Sequence, residues 1–417
     1  MKKLKIGMIG VGHRGPGLLK GTILHMEDIE IVAVCDLYQD RLENMIELIH
    51  EKKGKRPFGT KDYHELLAME EIEAVVISAS WEAHIEIAVA AMRAGKYTGL
   101  EVGGAYSIDD CWRLVRTYEE TKTPCMLLEN CCYGKTELMC LHMAKEGLFG
   151  EIVHCDGAYR HDLREEILGG NENRHYRLRN YTARNCENYP THELGPIAKL
   201  LNINRGNRML SLVSVASKSV GLHDYAVRKK GPDSDIAKVR FAQGDIVTTI
   251  IKCAGGETIT LTLDTTLARS YSRSFTVHGT EGYYEEPTNS IYLEKDREEY
   301  GGEWDPWKPN WDNAENRYRD LNHPLWKQYM KDGIKGGHGG MDWLVMRAFF
   351  ESVMEKKYPP IDVYDAAAWM CISTLSEESI AMGGLPVAIP DFTNGKWLLD
   401  RKDDVIEEYC LENEEYK

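Results

Sequence analysis

The apolar positions of this chain fall into two patterns. In the first 130 residues they gather into short runs at 6–9, 29–35, 74–78, 97–101 and 124–129, separated by stretches of helical spacing, the clearest at 83–94 and 108–121. Strand–helix repetition of this kind predicts a doubly wound parallel sheet with helices on both faces. Beyond about residue 150 the apolar segments lie at 152–160, 211–217, 246–254, 258–265 and 274–279, bounded by glycine and charged turns. That arrangement predicts a largely antiparallel sheet. Helical spacing returns at 339–356 and 364–382. The expected organisation is an α/β first domain over 1–132 and an α+β second domain over 133–417.

Two stretches fit neither pattern. Residues 161–190 are polar, aperiodic and rich in Arg, Asn and Tyr. A long loop of that kind is either disordered or functional, and its aromatics favour function. Residues 303–327 carry Trp304, Trp307, Trp311 and Trp326. Such a cluster is either an aromatic wall for a ligand or, more commonly, packing and oligomer contact. The acidic tail, 398–417, is expected to cover the surface.

Composition narrows the range of functions. A chain of 417 residues can bury a large core. Its formal charge of −15 disfavours nucleic acid as a partner. No apolar run is long enough to span a membrane. The opening MKKLKIGMIG reads as a strand, not as a signal peptide. Eleven cysteines are scattered without a CxxC pair, the usage of a reducing, cytoplasmic compartment and not of a disulfide framework or a metal site.

The first candidate chemistry follows the first apolar run. Gly10, Gly12 and Gly15, with His13 and Arg14 between them, form GxGxxG between a strand and a helix. Glycines there permit a tight turn and close approach of backbone to a pyrophosphate, and the helix N-terminus offers free N–H groups. Asp36, at the end of the second run, is placed to bind a ribose diol. Its charge favours NAD over NADP, and Arg41 is the nearest cation. An N-terminal Rossmann domain binding NAD follows from this context. Three more motifs end Rossmann strands, where a cofactor lies: Ser80-Trp81-Glu82-Ala83-His84, Glu101-Val102-Gly103-Gly104 and Glu129-Asn130. Each is otherwise a plain strand-end turn.

The second domain carries Asn188-Tyr189-Pro190-Thr191-His192-Glu193-Leu194-Gly195-Pro196. Tyr189 and His192 share a face if a helix starts there. A phenol beside an imidazole can take a proton from a hydroxyl while NAD accepts a hydride. The plainer reading is a helix start with a structural histidine. Tyr159, Arg177 and Tyr271 are further candidates. His338, flanked by glycines before a helix, either touches substrate or caps a turn.

Together these motifs resemble the Gfo/Idh/MocA oxidoreductases over nearly the whole chain. Many members carry an EKP signature whose Lys acts in acid–base chemistry; here the segment is Glu101-Val102-Gly103-Gly104 and the Lys is absent. The combination GVGHRGPG, WEAH, EV, EN, YPTHELGP and GHGGMD is more narrowly similar to glycoside hydrolase family 109, the NAD-dependent α-N-acetylgalactosaminidases, which also lack that Lys. The resemblance implies a large open sheet in the second domain, whose open face forms a homo-oligomer contact. It implies that His13, Arg14, Asp36, Trp81, His84, Glu101, Val102 and Asn130 contact NAD. Tyr159, Arg177, Tyr189, Thr191, His192 and Tyr271 would contact the sugar. Family members often carry an export signal, whereas the opening of this chain reads as a strand, so an intracellular small-molecule glycoside is expected here.

The implied route is redox glycosidase chemistry. Oxidation of the sugar C3 hydroxyl acidifies the C2 proton; a base removes it, the aglycone leaves C1, water adds, and the ketone is reduced again. NAD would stay tightly bound and be recycled, and no carboxylate pair at glycosidase spacing is needed. His192 is the expected base for the C3 hydroxyl, assisted by Tyr189, with Tyr159 or Tyr271 serving the C2 proton or the leaving group. The competing expectations are an NAD-dependent sugar or cyclitol dehydrogenase and an NAD-binding sensor without turnover.

Overall fold

The computed structural model describes residues 3–297, 310–399 and 405–411. Among these the chain divides into two compact units. One takes Met1–Tyr133, Tyr329–Cys371 and Lys402–Asn413, the other Gly134–Gln328, Ile372–Arg401 and Glu414–Lys417, each through its described residues. The division at 132/133 therefore did not anticipate that 329–371 rejoins the first unit.

The first unit is built on β1 (Leu4–Ile9), β2 (Ile29–Cys35), β3 (Phe58–Thr60), β4 (Ala74–Ile77), β5 (Tyr97–Leu100) and β6 (Cys125–Leu127), all parallel, in the order β3-β2-β1-β4-β5-β6. All four residues of β4 are buried, as expected of a strand covered on both faces. The helix Ile108–Thr121 starts on a local cap, Ser107 Oγ accepting from Asp110 N. Strand order reverses at β1/β4, so the loops leaving these two strands diverge and open a crevice at their carboxyl ends. β3 and the short helix Tyr63–Leu67 were not foreseen. β3 is three residues long and Phe58 is exposed, so no period marks it.

The second unit holds an eight-stranded sheet: β7 (Ile152–Arg160), β8 (Met209–Ala216), β9 (Ile246–Cys253), β10 (Thr258–Asp264), β11 (Thr276–Gly279), β12 (Gly282–Glu285), β13 (Ser290–Leu293) and β14 (Val387–Ala388). Its order is β13-β12-β11-β7-β10-β9-β8-β14, antiparallel throughout except where β7 lies parallel to β10. One face is buried and the other open: along β9, Val247, Thr249, Ile251 and Cys253 are buried while Ile250 is exposed. The helix Thr191–Leu200 lies on the covered face. Gly157 of β7 makes this possible, because a Cβ there would sit 2.9 Å from the carbonyl oxygen of Glu193.

Three expectations change. The stretch 161–190 is not one irregular loop; it contains the helices Arg164–Leu168 and Arg177–Ala183, each too short to show a period. Of the tryptophans, Trp304 and Trp307 lie outside the described residues, Trp326 is core and Trp311 is exposed, so the described pair forms no shared wall. In the tail, Ile406, Tyr409 and Leu411 are buried, and Tyr133 Oη donates to the Tyr409 carbonyl. Among the described residues no helix is long and apolar enough to cross a membrane.

Candidate active site

The glycine loop after β1 has the backbone its sequence predicts. Gly10 has φ +85°, and a Cβ on it would lie 2.4 Å from Ala79 N. A Cβ on Gly15 would lie 2.6 Å from the Gly10 carbonyl oxygen, which accepts from Ser78 Oγ at 2.5 Å. Side chains are thus excluded where a diphosphate would approach, and the helix Arg14–Gly21 opens there with no side-chain cap. Asp36 is buried at the end of β2, its carboxylate accepting from Val11 N at 2.8 Å and Tyr38 N at 2.9 Å. These bonds fix its direction and leave lone pairs for two hydroxyls. Arg41 stacks on Tyr38, with its guanidinium 4.8 Å from the ring centre.

Ser80 and Trp81 begin the helix Trp81–Arg93; the Trp81 indole closes over Gly103, where a Cβ would lie 2.6 Å from it. His84 is buried on the same helix. Its Nε2 meets the Ala79 carbonyl at 3.0 Å, and its Nδ1 has no partner. Burial pushes this imidazole down to about 4, so the unmet Nδ1 is a neutral acceptor. An open helix N-terminus, excluded side chains, a directed carboxylate and an orphaned buried acceptor together fit NAD.

Arg14 and the glycine-flanked motif after residue 336 meet in this unit. Arg14 donates to Glu101 Oε1 (2.9 Å) and, through both terminal nitrogens, to Asp342 (2.9 and 2.7 Å). Asp342 also accepts from Asn130 Nδ2 and bonds His338 Nδ1, each at 2.8 Å. Burial alone would raise the Asp342 carboxyl, but His338 and Arg14 hold it well below the carboxylate range. The buried member of this motif is thus Asp342, while the His338 side chain is half exposed. Glu101 Oε2 accepts from Val102 N, and His13 is exposed at the helix start.

The second unit assembles a different set. Tyr159 lies near the end of β7, and Tyr189 and His192 flank the start of the helix Thr191–Leu200. The Tyr159 ring is 4.4 Å from Tyr189, 5.5 Å from His192 and 6.3 Å from Tyr271; Tyr189 and His192 are 4.7 Å apart. Every residue of that helix is buried except His192, which is half-buried. Thr191 Oγ1 is buried without a hydrogen-bond partner. Arg177 sits with its guanidinium 5.2 Å over the Tyr189 ring and its Nε 2.6 Å from Glu166. Six of the seven expected sugar contacts therefore fall in the second unit, five of them around shared aromatic contacts, while His338 falls in the first.

Sequence reasoning missed four partners. His161 Nδ1 is 3.1 Å from Tyr159 Oη, and its only signal is its place two residues past Tyr159 on the same strand line. Glu166 pairs with Arg177. Glu187 and Glu193 lie buried beneath Tyr189 and His192. Burial raises the Tyr159 phenol well above its ordinary value, with Arg177 opposing, while burial and then Arg177 lower the His161 imidazole. Both groups are neutral at rest.

Residues 4–128 match the sequence profile of the oxidoreductase family with NAD-binding Rossmann fold, and residues 133–399 match that of the glycosyl hydrolase 109 C-terminal domain. An α-N-acetylgalactosaminidase of Tannerella forsythia is 39% identical over 420 residues, covering 95% of this chain and 87% of that protein. A glycosyl hydrolase family 109 protein of Parabacteroides distasonis is 38% identical, covering 95% and 88%. Among solved structures, levoglucosan dehydrogenase complexed with NADH and levoglucosan superposes with a TM-score of 0.67 at 17% identity, over 93% of this chain and all of that one, a likeness of fold. With two family profiles spanning nearly its whole length, the chain belongs to glycoside hydrolase family 109, on the Gfo/Idh/MocA oxidoreductase architecture.

Proposed function

We propose that this chain hydrolyses glycosides by transient oxidation of the sugar, holding NAD in its first unit and the sugar in its second. The observation that carries this reading is the cluster of Tyr159, Tyr189, His192 and Tyr271 beside the Arg177–Glu166 pair, in a chain 39% identical to an α-N-acetylgalactosaminidase. An α-linked N-acetylhexosaminide is therefore the first substrate class to test.

Bound NAD supplies reversible two-electron oxidation of a secondary hydroxyl, which makes the neighbouring C–H acidic. In the chain, Gly10, Gly12, Gly15, Asp36, Ser80, Trp81, His84, Glu101, Val102 and Asn130 would hold it, with His13 and Arg14 at the head of the first helix. His192, the accessible residue of an otherwise buried helix, takes the C3 hydroxyl proton, and Tyr189 orients that hydroxyl. The Tyr159–His161 pair, with Tyr271 at its edge, serves the C2 proton and the leaving oxygen. C2 loses a proton, the C1–oxygen bond breaks and the aglycone departs protonated. Water then adds at C1, C2 regains a proton and the C3 carbonyl is reduced, so the net reaction is hydrolysis. Arg177, paired with Glu166, binds sugar oxygens. His338 belongs with the first unit's Arg14–Asp342 network, and its expected sugar contact is subordinate to that role. NAD that is regenerated each turn has no need to leave. The open face of the eight-stranded sheet, with Val153, Val215 and Ile250 exposed, suits contact with a second copy. Eleven free, buried cysteines suit a reducing compartment such as the cytoplasm.

The test is a panel of α- and β-linked p-nitrophenyl sugars with and without added NAD⁺, following nitrophenol and NADH together, with a parallel run in D₂O. Nitrophenol release without net NADH, and deuterium at C2 of the product, is expected. NADH accumulation with the glycosidic bond intact would replace this reading by a dehydrogenase.

A further inference from the structure

Beneath Tyr189 and His192 lie two carboxyl groups that the proposed reaction does not use. Glu187 is fully buried and Glu193 is 2% exposed. Each has one oxygen spoken for: Glu187 Oε1 accepts from Tyr189 N at 3.2 Å, and Glu193 Oε2 accepts from Thr262 N of β10 at 3.0 Å. The remaining oxygens, Glu187 Oε2 and Glu193 Oε1, are buried with no donor, and the two carboxyls lie close enough to act on each other. Two ionised carboxylates in that contact would repel in a low-dielectric setting. A single proton between them removes the repulsion and satisfies both orphaned oxygens.

Among the described residues, no cation is hydrogen-bonded to either carboxyl. Arg160 of β7 acts on Glu193 from a distance, its Nη1 donating to Ser274 Oγ. Tyr181 and Cys186, which face Glu187, are kept protonated by burial. The main chain of Glu187 is anchored separately, its N–H donating to Ser376 Oγ at 2.8 Å and its carbonyl accepting from Ser373 Oγ at 2.6 Å.

We propose that Glu187 and Glu193 are positioning residues for Tyr189 and His192: sharing one proton, they tie the turn that carries this pair to β10. Thr262 of β10 stands in register with Ala158 of β7, next to Tyr159. The bridge therefore sets the spacing between Tyr159 on the sheet and the Tyr189–His192 turn above it. Burial raises both carboxyls above the ordinary range, so the shared proton survives at neutral pH and leaves as the solution becomes alkaline. The sign follows: a carboxyl raised on folding favours the folded state most in acid, and that contribution is lost as pH rises through the folded-state value.

The kinetic arm of the test rests on the glycosidase reading; the spectroscopic arm does not. In the full chain at neutral pH, the infrared spectrum should show a carboxylic-acid C=O band that shifts in D₂O and disappears on alkaline titration. Glu193→Gln and, independently, Glu187→Gln should each abolish the band, because an amide N–H then takes the proton's place. On a cleaved nitrophenyl glycoside these amide variants should keep neutral-pH kcat within about threefold and lose the wild-type alkaline decline that tracks the band. Glu193→Ala, which strands the Glu187 carboxylate, should lower kcat by about 10- to 100-fold with a smaller change in KM. Absence of the band in wild type, or its persistence in both amide variants, overturns the proposal. If no glycoside is cleaved by wild type but the band behaves as stated, the pair stands and the glycosidase reading falls. If one amide variant does not fold, the other carries the test.

Discussion

Asp342→Asn is the sharpest single test of how the first unit is held together. The carboxylate is 2% exposed as a side chain and receives both terminal nitrogens of Arg14, the amide of Asn130 and the ring of His338. An asparagine keeps the shape but removes the charge, and it turns one acceptor oxygen into an NH₂ facing other donors. Breaking a buried ion pair from one side costs about 3–5 kcal/mol. The Arg14 side chain is 27% exposed, so water recovers part of that, and about 3 kcal/mol is the expected loss. For a unit of this size each kcal/mol moves the melting midpoint by about 2–4 °C, so the variant should melt about 6–12 °C lower at neutral pH. The sign in acid is equally specific. A depressed carboxyl contributes its stability above the unfolded value of about 4 and loses it as pH falls toward the folded value. The gap between wild type and variant should therefore be constant near neutrality and close in acid. Far-UV circular dichroism melts across pH measure both. Equal midpoints at neutral pH, or a gap that persists unchanged in acid, would refute the assignment of Asp342 as the charged anchor of Arg14.

Two further outcomes are expected. Gly10→Ala places a Cβ 2.4 Å from Ala79 N in a left-handed backbone, and calorimetric titration should show NAD binding lost or weakened by about 5- to 30-fold, the equivalent of roughly 1–2 kcal/mol of strain; unchanged affinity would remove this turn from the cofactor site. His192→Ala should reduce glycoside turnover by about 10²- to 10⁴-fold, the range for loss of a general base, while bound NAD is retained; near-normal turnover would remove His192 from the mechanism.

How much of this was legible in the sequence divides along a physical line. Five of the six parallel strands and the bounds of Ile108–Thr121 and Ile152–Arg160 follow from burial pattern and local caps, which are properties of neighbouring residues. The glycine turn and Asp36 were legible for the same reason, since strand, turn and strand are contiguous. β3 and the helices Arg164–Leu168 and Arg177–Ala183 escaped because three to seven residues cannot display a period. The partner acids escaped for another reason. Asp342 stands 328 residues from Arg14, and Thr262 stands 69 from Glu193. A pairing of that range leaves no local mark: His338 attracted notice as a histidine among glycines, and the buried aspartate four residues on did not.

The second unit's cluster gains its chemical direction from the same buried pairings. Burial keeps the proton on Tyr159 and off His161, so their contact at 3.1 Å places a protonated phenol beside a neutral ring. A phenol so raised is a poor acid at rest, and a lowered imidazole is a poor base. His192 is the half-buried position on a helix otherwise buried, beside Tyr189 on a turn bonded to Glu187 and Glu193. On the proposed route this assigns the first proton to His192. The Tyr159–His161 pair is left for the later step, in which the C2 proton is removed and the leaving oxygen protonated. If the order were reversed, Tyr159→Phe would block oxidation of C3; on this order it blocks only the later elimination, and a single turnover of Tyr159→Phe with a glycoside should accumulate NADH while releasing no aglycone.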